Sequence, residues 1–277
     1  MPVLEMLSYG FMQRALAAGL MIGIIAPIIG VFIVLRRLSL IADTLSHVAL
    51  AGVAAGLLFR TYPVAGALIA SLVGAVGIER LRGSGRLFGE AALAVFLSGG
   101  FAVAVVLISL ARGFNTDLFS YLFGAITVVQ PVDLWVIFAL GLVVLAAVGI
   151  LHKELFAITF DEETARVQGI PVETINMLLT TLVALTVVLA MRVVGILLTS
   201  ALLVIPTITA LRVARNFRYT LLIAIFCSLF AVVVGMTVSF YLDIAAGGAI
   251  VLTALLLFGI ASVIPHSRLT RREHATR

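Results

Sequence analysis

The 277-residue chain has the composition of a protein that lies almost entirely within a membrane. Hydrophobic residues make up 63% of it and charged residues only 11%, whereas about a quarter of a soluble domain is charged. The net charge of +5 comes from arginines in short connections between apolar segments, so it gives no reason to expect a nucleic-acid partner. One cysteine, Cys227, excludes a disulfide within the chain.

Nine apolar segments follow one another along the chain, and each is long enough to cross a bilayer as a helix. They cover residues 11–35, 38–58, 64–81, 90–110, 132–151, 174–191, 193–211, 219–242 and 245–264. The seventh segment is short and contains Pro206, so it can be broken, and counts of eight or ten spans stay open. The sequence therefore predicts an all-α, polytopic membrane protein in which residues 1–277 form a single transmembrane domain.

The lysines and arginines indicate how the chain is oriented. With nine spans, fourteen of the eighteen fall on the side of the carboxyl terminus. The exceptions are Arg14, Arg60, Arg112 and Arg192. Because cytoplasmic loops carry an excess of basic residues, we expect the carboxyl terminus to lie inside the cell and the amino terminus outside.

Asp43 and His47 lie four residues apart within the second apolar segment. Residues at this spacing share one face of a helix and are about 6 Å apart along its axis. A carboxylate in hydrocarbon is costly unless a cation or a hydrogen-bond donor pairs with it, so such a residue usually marks a site or a pathway. A carboxylate and an imidazole also suit divalent metals such as Zn²⁺ or Mn²⁺. We therefore interpret the pair as metal ligands.

A purely structural role for the pair is the alternative. His47 could donate a hydrogen bond to Asp43 or Ser46, which would form a satisfied polar contact between packed helices. His47 is the only histidine within any predicted span. For two ionisable groups on one helix face, the functional interpretation is the stronger one.

The longest polar stretch follows the fifth span and includes residues 160–171, which predict a short helix on the cytoplasmic face. Asp161 can cap this helix, and Gly169 followed by Pro171 can end it. A short helix exposed to the cytosol is suited to docking with a soluble partner. The residues that we expect to make this contact are Phe160, Asp161, Glu162, Glu163, Ala165, Gly169 and Ile170.

The sequence carries no motif for ATP hydrolysis or for other hydrolytic chemistry. Its single lysine is Lys153, and no G-x-x-x-x-G-K-[S/T] loop is present to hold phosphates. The motifs H-E-x-x-H and G-x-S-x-G are also missing. We therefore expect the chain to have no enzymatic activity of its own.

Four stretches together resemble the membrane subunit of ATP-binding-cassette (ABC) importers for zinc, manganese and iron, in that family's order. They are LRRLSLIADTLSHVALAG (35–52), LFSYLFGAI (118–126), ELFAITFDEETARVQGI (154–170) and VGILLTSALLVIPTITA (194–210). Ala42 stands where these permeases often have glycine, and Ala51 stands where proline is common. Neither difference affects the two candidate ligands.

The resemblance implies a homodimer of permeases in the membrane of a prokaryotic cell, related to the importers of cobalamin and iron-siderophores. It implies two cytoplasmic ATPase subunits that bind ATP and an extracytoplasmic protein that delivers the metal. It places Asp43 and His47 on the pathway and makes 153–171 the segment that couples to the ATPase. Two copies would supply up to four oxygen and nitrogen ligands for a transported ion. Which metal is carried stays open, and no permanently bound cofactor is expected.

Two further questions remain open at this stage. Asp243, at the outer end of span eight, could cap span nine or contact the delivery protein, and Asp133 could be a solvated or capping residue. The competing function is a proton-coupled secondary metal transporter, in which Asp43 and His47 would relay protons. Such a carrier would need no cytoplasmic docking helix.

Overall fold

The computed structural model describes residues 6–83, 89–111 and 116–263, and all regular structure in these ranges is helical. The basic tail, from Arg268 onward, lies outside the described residues. The helices with both ends within these ranges are α1 (Gly10–Leu35), α2 (Leu40–Leu58), α3 (Pro63–Gly83), α4 (Gly89–Leu110), α5 (Thr116–Phe123), α6 (Pro131–Ile150), α7 (His152–Phe160), α8 (Glu162–Val167), α9 (Val172–Ala190), α10 (Thr199–Val213), α11 (Phe217–Leu242) and α12 (Ala246–Val263).

Nine of the helices in the described part of the chain are long and apolar enough to cross a membrane. They are α1 to α4, α6, α9, α10 together with the 3-10 turn before it, α11 and α12. The prediction of an all-α polytopic protein with nine spans is therefore confirmed. The helix ends fall within about three residues of the predicted ones, because each apolar segment stops at charged residues or at a turn.

The most buried helices form the centre of the bundle. Most residues of α1, α2 and α9 are buried, whereas fewer than a third of those in α4 and α6 are. At Gly30 of α1, the backbone of Leu203 in α10 comes so close that a Cβ atom would overlap its carbonyl group. Lipid tails are as apolar as the helix surfaces, so burial of apolar side chains does not by itself bring helices together. Small residues such as Gly30 do so by letting the backbones pack closely.

The seventh span is broken, as its sequence allowed. The helix α9 stops at Ala190, and a turn leads through Gly195, with φ of +87°, to a 3-10 turn at Ile196–Leu198 before α10 begins. A Cβ at Gly195 would lie 2.5 Å from the backbone of Gly124, at the end of α5. Glycine is needed here for both the positive φ and the close contact.

Residues 152–160 form the helix α7, which the sequence did not predict. The helices α7 and α8 follow each other, separated only by Asp161, between the fifth and sixth spans. We call the end of the bundle that carries α7 and α8 the α8 end. The helices α1, α3, α6 and α10 also end there.

Candidate metal site and coupling segment

Asp43 lies in the first turn of α2 and contacts the start of a helix that is distant in sequence. The hydroxyl of Ser200 donates a hydrogen bond to Asp43 Oδ1 over 3.4 Å. Ser200 is the second residue of α10, and the amino-terminal end of a helix favours negative charge. The broken seventh span therefore brings a donor and a helix terminus to a carboxylate within the bundle.

His47 lies one turn further along α2 and makes no polar contact with Asp43. Its ring packs edge-to-face against Phe101 of α4, with centroids 5.3 Å apart and planes at 89°. Its Nδ1 atom is buried and has no hydrogen-bond partner among the described residues. The Ser46 hydroxyl donates instead to the carbonyl of Ala42 over 2.8 Å. The alternative in which His47 is satisfied by Asp43 or Ser46 is therefore not what the structure shows.

A glycine of α4 sets the distance between α4 and the imidazole-bearing helix. A Cβ added to Gly100 would lie 3.0 Å from the backbone nitrogen of Val48 and 3.1 Å from the carbonyl carbon of His47. Ordinary contacts of this kind lie at 3.4–4 Å. Only glycine lets α4 approach the backbone at His47 this closely.

One chain alone offers two candidate ligands. Within the described ranges, no group of three or more His, Cys, Asp or Glu side chains could hold a metal ion. Zinc sites usually have at least three protein ligands. If Asp43 and His47 bind a metal, the remaining ligands come from water or from another chain.

The helix α8 lies between two well-defined caps. Asp161 precedes it and accepts a hydrogen bond from the backbone N–H of Thr164 over 2.9 Å and another from its hydroxyl. These bonds hold the pKa of the Asp161 carboxyl below its usual range. Gly169 ends the turn with φ of +85°, and the N–H of Ile170 donates to the carbonyl of Ala165 over 3.1 Å. The caps fix the short helix in one conformation.

The predicted contact residues of this segment lie at the surface, except for Ala165. Ala165 was expected to contact a partner, but it is only 1% exposed because it packs into the core of its own chain. Val167 is instead 89% exposed, and Phe160 and Glu163 are exposed as well. A partner docking on α8 would therefore contact Val167 directly and Ala165 only through the backbone.

A buried arginine connects α8 to the turn before α2. The guanidinium of Arg36 donates to Glu162 Oε2 over 2.5 Å and to Asn176 Oδ1 of α9 over 2.6 Å. Its side chain is 7% exposed, and this burial lowers its pKa although Glu162 acts in the opposite direction. Glu79 of α3 similarly accepts a hydrogen bond from Thr180 of α9 over 2.6 Å. The contacts of Arg36 and Glu79 join α1, α3 and α8 to α9 at the α8 end.

The opposite end of the bundle contains a buried ion pair that the sequence analysis did not identify. Asp133 is 2% exposed and caps α6, so of the two predicted roles the capping one is confirmed. Its Oδ1 atom lies 3.3 Å from a guanidinium nitrogen of Arg192 and accepts a hydrogen bond from the Tyr62 hydroxyl over 2.8 Å. The Arg192 guanidinium also lies over the ring of Tyr121, 4.8 Å from its centroid. Contacts between residues far apart in sequence thus hold the helices together at this end of the bundle.

Asp243 does not cap the helix that follows it. It ends α11 in the left-handed conformation, with φ of +51°. The first residue of α12 is Ala246, so the N-cap position belongs to Ala245. Asp243 lies at a cavity of about 300 Å³ beside the connection between α5 and α6. Its predicted contact with a delivery protein stays a prediction.

Comparison with known proteins agrees with this architecture. Residues 8–265 match the ABC 3 transport family. The chain is 35% identical over 257 residues to the manganese transport system membrane protein MntC of Halalkalibacterium halodurans, covering 93% of this chain and 88% of that protein. It is 32% identical to the high-affinity zinc uptake system membrane protein ZnuB of Haemophilus influenzae, covering 92% and 97%.

A solved structure is similar over nearly the whole chain. PsaBC from Streptococcus pneumoniae in complex with Fab superposes with a TM-score of 0.85 at 32% identity, covering 99% of this chain and all of that one. This membership leaves no support for the proton-coupled secondary transporter. The chain belongs to the ABC 3 transport family and is a metal-type permease of ABC transporters.

Proposed function

We propose that this permease is the membrane subunit of an ATP-driven importer of Mn²⁺ or Zn²⁺, with iron as a further candidate, and that Asp43 and His47 bind the ion in transit. The observation that carries the proposal is the buried, unpaired Nδ1 of His47 one helical turn from the Asp43 carboxylate. An unsatisfied polar atom inside a bundle is costly. A metal ion that passes through would satisfy it.

The permease works as a homodimer in this proposal. Each chain supplies one carboxylate and one imidazole, and a two-fold axis beside α2 would double them to four ligands. Such a mixed oxygen and nitrogen set accepts both Mn²⁺ and Zn²⁺. The 3.4 Å contact from Ser200 to Asp43 would be exchanged for the metal, so the site can release its ion, as transit requires.

ATP hydrolysis takes place on two separate cytoplasmic subunits. The chain has no phosphate-binding loop, whereas α8 presents an exposed Val167 on a capped helix joined to α1 by the Arg36–Glu162 ion pair. We assign ATPase docking to residues 153–171 and metal delivery to an extracytoplasmic binding protein at the opposite end, near Asp243. Residues 1–277 act as one permease domain.

The α8 end faces the cytoplasm in this proposal, and so does the carboxyl terminus. The count of fourteen basic residues on this side supports it. Single cysteines at Phe59 and Val167, both highly exposed, can be labelled in a Cys227→Ser background with a membrane-impermeant maleimide. We expect labelling of intact cells at position 59 only. Labelling at position 167 instead would reverse the orientation.

Metal uptake by cells that express the complete transporter tests the assigned ligands. Asp43→Ala and His47→Ala should each abolish uptake of ⁵⁴Mn and ⁶⁵Zn while the protein remains inserted and assembled with its ATPase. Thr186→Val removes another fully buried polar group of a spanning helix, whose hydroxyl bonds only its own helix backbone, and should leave uptake intact. Wild-type uptake of manganese, zinc and iron in both ligand variants would refute the assignment.

A further inference from the structure

A large groove at the α8 end is lined partly by α7, within the segment assigned to ATPase docking, and partly by helices that have no assigned role in transport. It has a volume of about 1070 Å³ and lies between α7, the start of α11 and the adjoining parts of α1 and α6. Three aromatic rings form one wall: Phe156 lies 4.6 Å from Phe160 and 5.2 Å from Phe217, measured between centroids. We call this feature the α7–α11 groove.

The α7–α11 groove extends from the helix ends into the spanning part of the bundle. Ile28, which lines it, is seven residues before the end of α1, or about 10 Å along the helix axis. Leu222, also in the lining, is five residues after the start of α11, or about 7–8 Å along it, and is 62% exposed. A soluble protein would have to enter the hydrocarbon layer to fill this depth, whereas a lipid acyl chain already lies there.

The rim of the groove is basic. His152 and Lys153 begin α7, and Arg218 lies in the first turn of α11. All three side chains are exposed. Among the described residues that line the groove, none is acidic. Lysine and arginine bind phosphate oxygens by charge-assisted hydrogen bonds, and basic pockets between spanning helices bind anionic headgroups. Cations at the rim and apolar depth below them match the two parts of an anionic phospholipid.

We propose that the α7–α11 groove is a binding site for an anionic phospholipid. Its phosphate is held by Lys153 and Arg218, with His152 beside them, and an acyl chain runs past the aromatic wall toward Leu222 and Ile28. Because α7 forms one side of the groove and continues into α8, the bound lipid packs against the segment assigned to ATPase docking. The site itself does not depend on that assignment or on which metal is carried.

Native mass spectrometry of the purified full chain, exchanged from nanodiscs, measures this binding. We expect the wild type to retain phosphatidylglycerol in preference to phosphatidylcholine of the same acyl chains. Each basic rim residue should contribute about fivefold in affinity, so Lys153→Gln with Arg218→Gln should weaken phosphatidylglycerol binding about 25-fold. The control, Arg80→Gln with Arg215→Gln, removes the same charge from exposed residues outside the groove lining and should have little effect.

A second pair of variants tests the apolar part without a change of charge. Leu222→Trp fills the groove and should weaken retention, whereas Leu256→Trp alters an equally exposed leucine of α12 and should not. Equal losses in test and control variants would overturn the proposal. So would displacement of the lipid by free glycerol phosphate, which would indicate a site for soluble phosphate. Complete displacement by the ATPase subunit would show a protein-docking surface and would also overturn it.

Discussion

Replacing Gly100 by alanine should disturb the candidate metal site, because Gly100 of α4 packs against the backbone of α2 at His47. The new Cβ would lie 3.0 Å from the Val48 nitrogen and 3.1 Å from the His47 carbonyl carbon, about 0.4 and 0.3 Å inside the 3.4 Å limit of ordinary contact. Both atoms belong to the backbone of α2 and cannot turn away. The two helices must therefore separate by a few tenths of an ångström at the level of the imidazole.

The neighbouring Gly99 provides a matched control. A Cβ there meets nothing within 4 Å in the chain, so Gly99→Ala gains up to about 1 kcal/mol of helix propensity without a clash. Gly100→Ala has the same gain but adds an overpacking cost of about 1–3 kcal/mol. The two variants should therefore differ in unfolding free energy by about 1–3 kcal/mol, with Gly100→Ala the less stable.

The Gly100→Ala substitution should also lower metal uptake. Metal sites tolerate ligand displacements of only about 0.2 Å, and changes in the residues that hold ligands typically cost about 10–100-fold in metal affinity. We expect Gly100→Ala to lower ⁵⁴Mn uptake at limiting metal by about tenfold, with Gly99→Ala unchanged. Thermal melting in detergent and uptake at matched expression measure both quantities. Equal uptake by the two variants would refute the link between helix approach and the site.

Three further predictions concern α8. Glu162→Gln leaves its buried arginine partner without a counter-charge and should lower stability by about 1–2 kcal/mol and reduce metal-stimulated ATP hydrolysis; Glu163→Gln, which removes no described ion pair, should leave stability unchanged. Val167→Ser should weaken ATPase assembly without a change in melting, whereas Ala165→Trp should lower the melting temperature because that position is buried. Gly169→Val should cost about 1–3 kcal/mol through its positive φ alone, since no atom lies within 4 Å of a Cβ there; an unchanged melting temperature would contradict this.

The sequence predicted the spans well because each one is a continuous apolar run. It did not predict α7, because the charged start at His152, Lys153 and Glu154 ends the apolar run of the fifth span and the following residues are too few to show a helical period. The break before α10 also could not be located, because Gly195 adopts its positive φ against the backbone of Gly124, 71 residues earlier. A continuous apolar run predicts a spanning helix from local sequence alone, whereas the position of such a break depends on packing against distant residues.

The two candidate ligands were predictable from the sequence, but their surroundings were not. Spacing within one helix identified Asp43 and His47, but their surroundings come from other helices. Ser200 is 157 residues from Asp43, and no local signal links them. The same holds for Arg192 and Asp133, whose ion pair joins a turn to a helix start. The burial of Ala165 was not predictable, because the face that α8 buries depends on how it packs on its own chain.

The contacts at the α8 end favour a direct route from the proposed docking segment to the candidate metal site. Only four residues separate α1 from α2, and this turn is held by a hydrogen bond of 2.8 Å from the Leu38 N–H to the Ile33 carbonyl. Arg36 lies in that turn and binds Glu162, so a displacement of α8 pulls on the start of α2, one turn from Asp43. A double-mutant cycle between Glu162→Gln and Asp43→Asn, measured on metal-stimulated hydrolysis, tests this coupling: we expect non-additive effects, whereas additive effects would contradict the route.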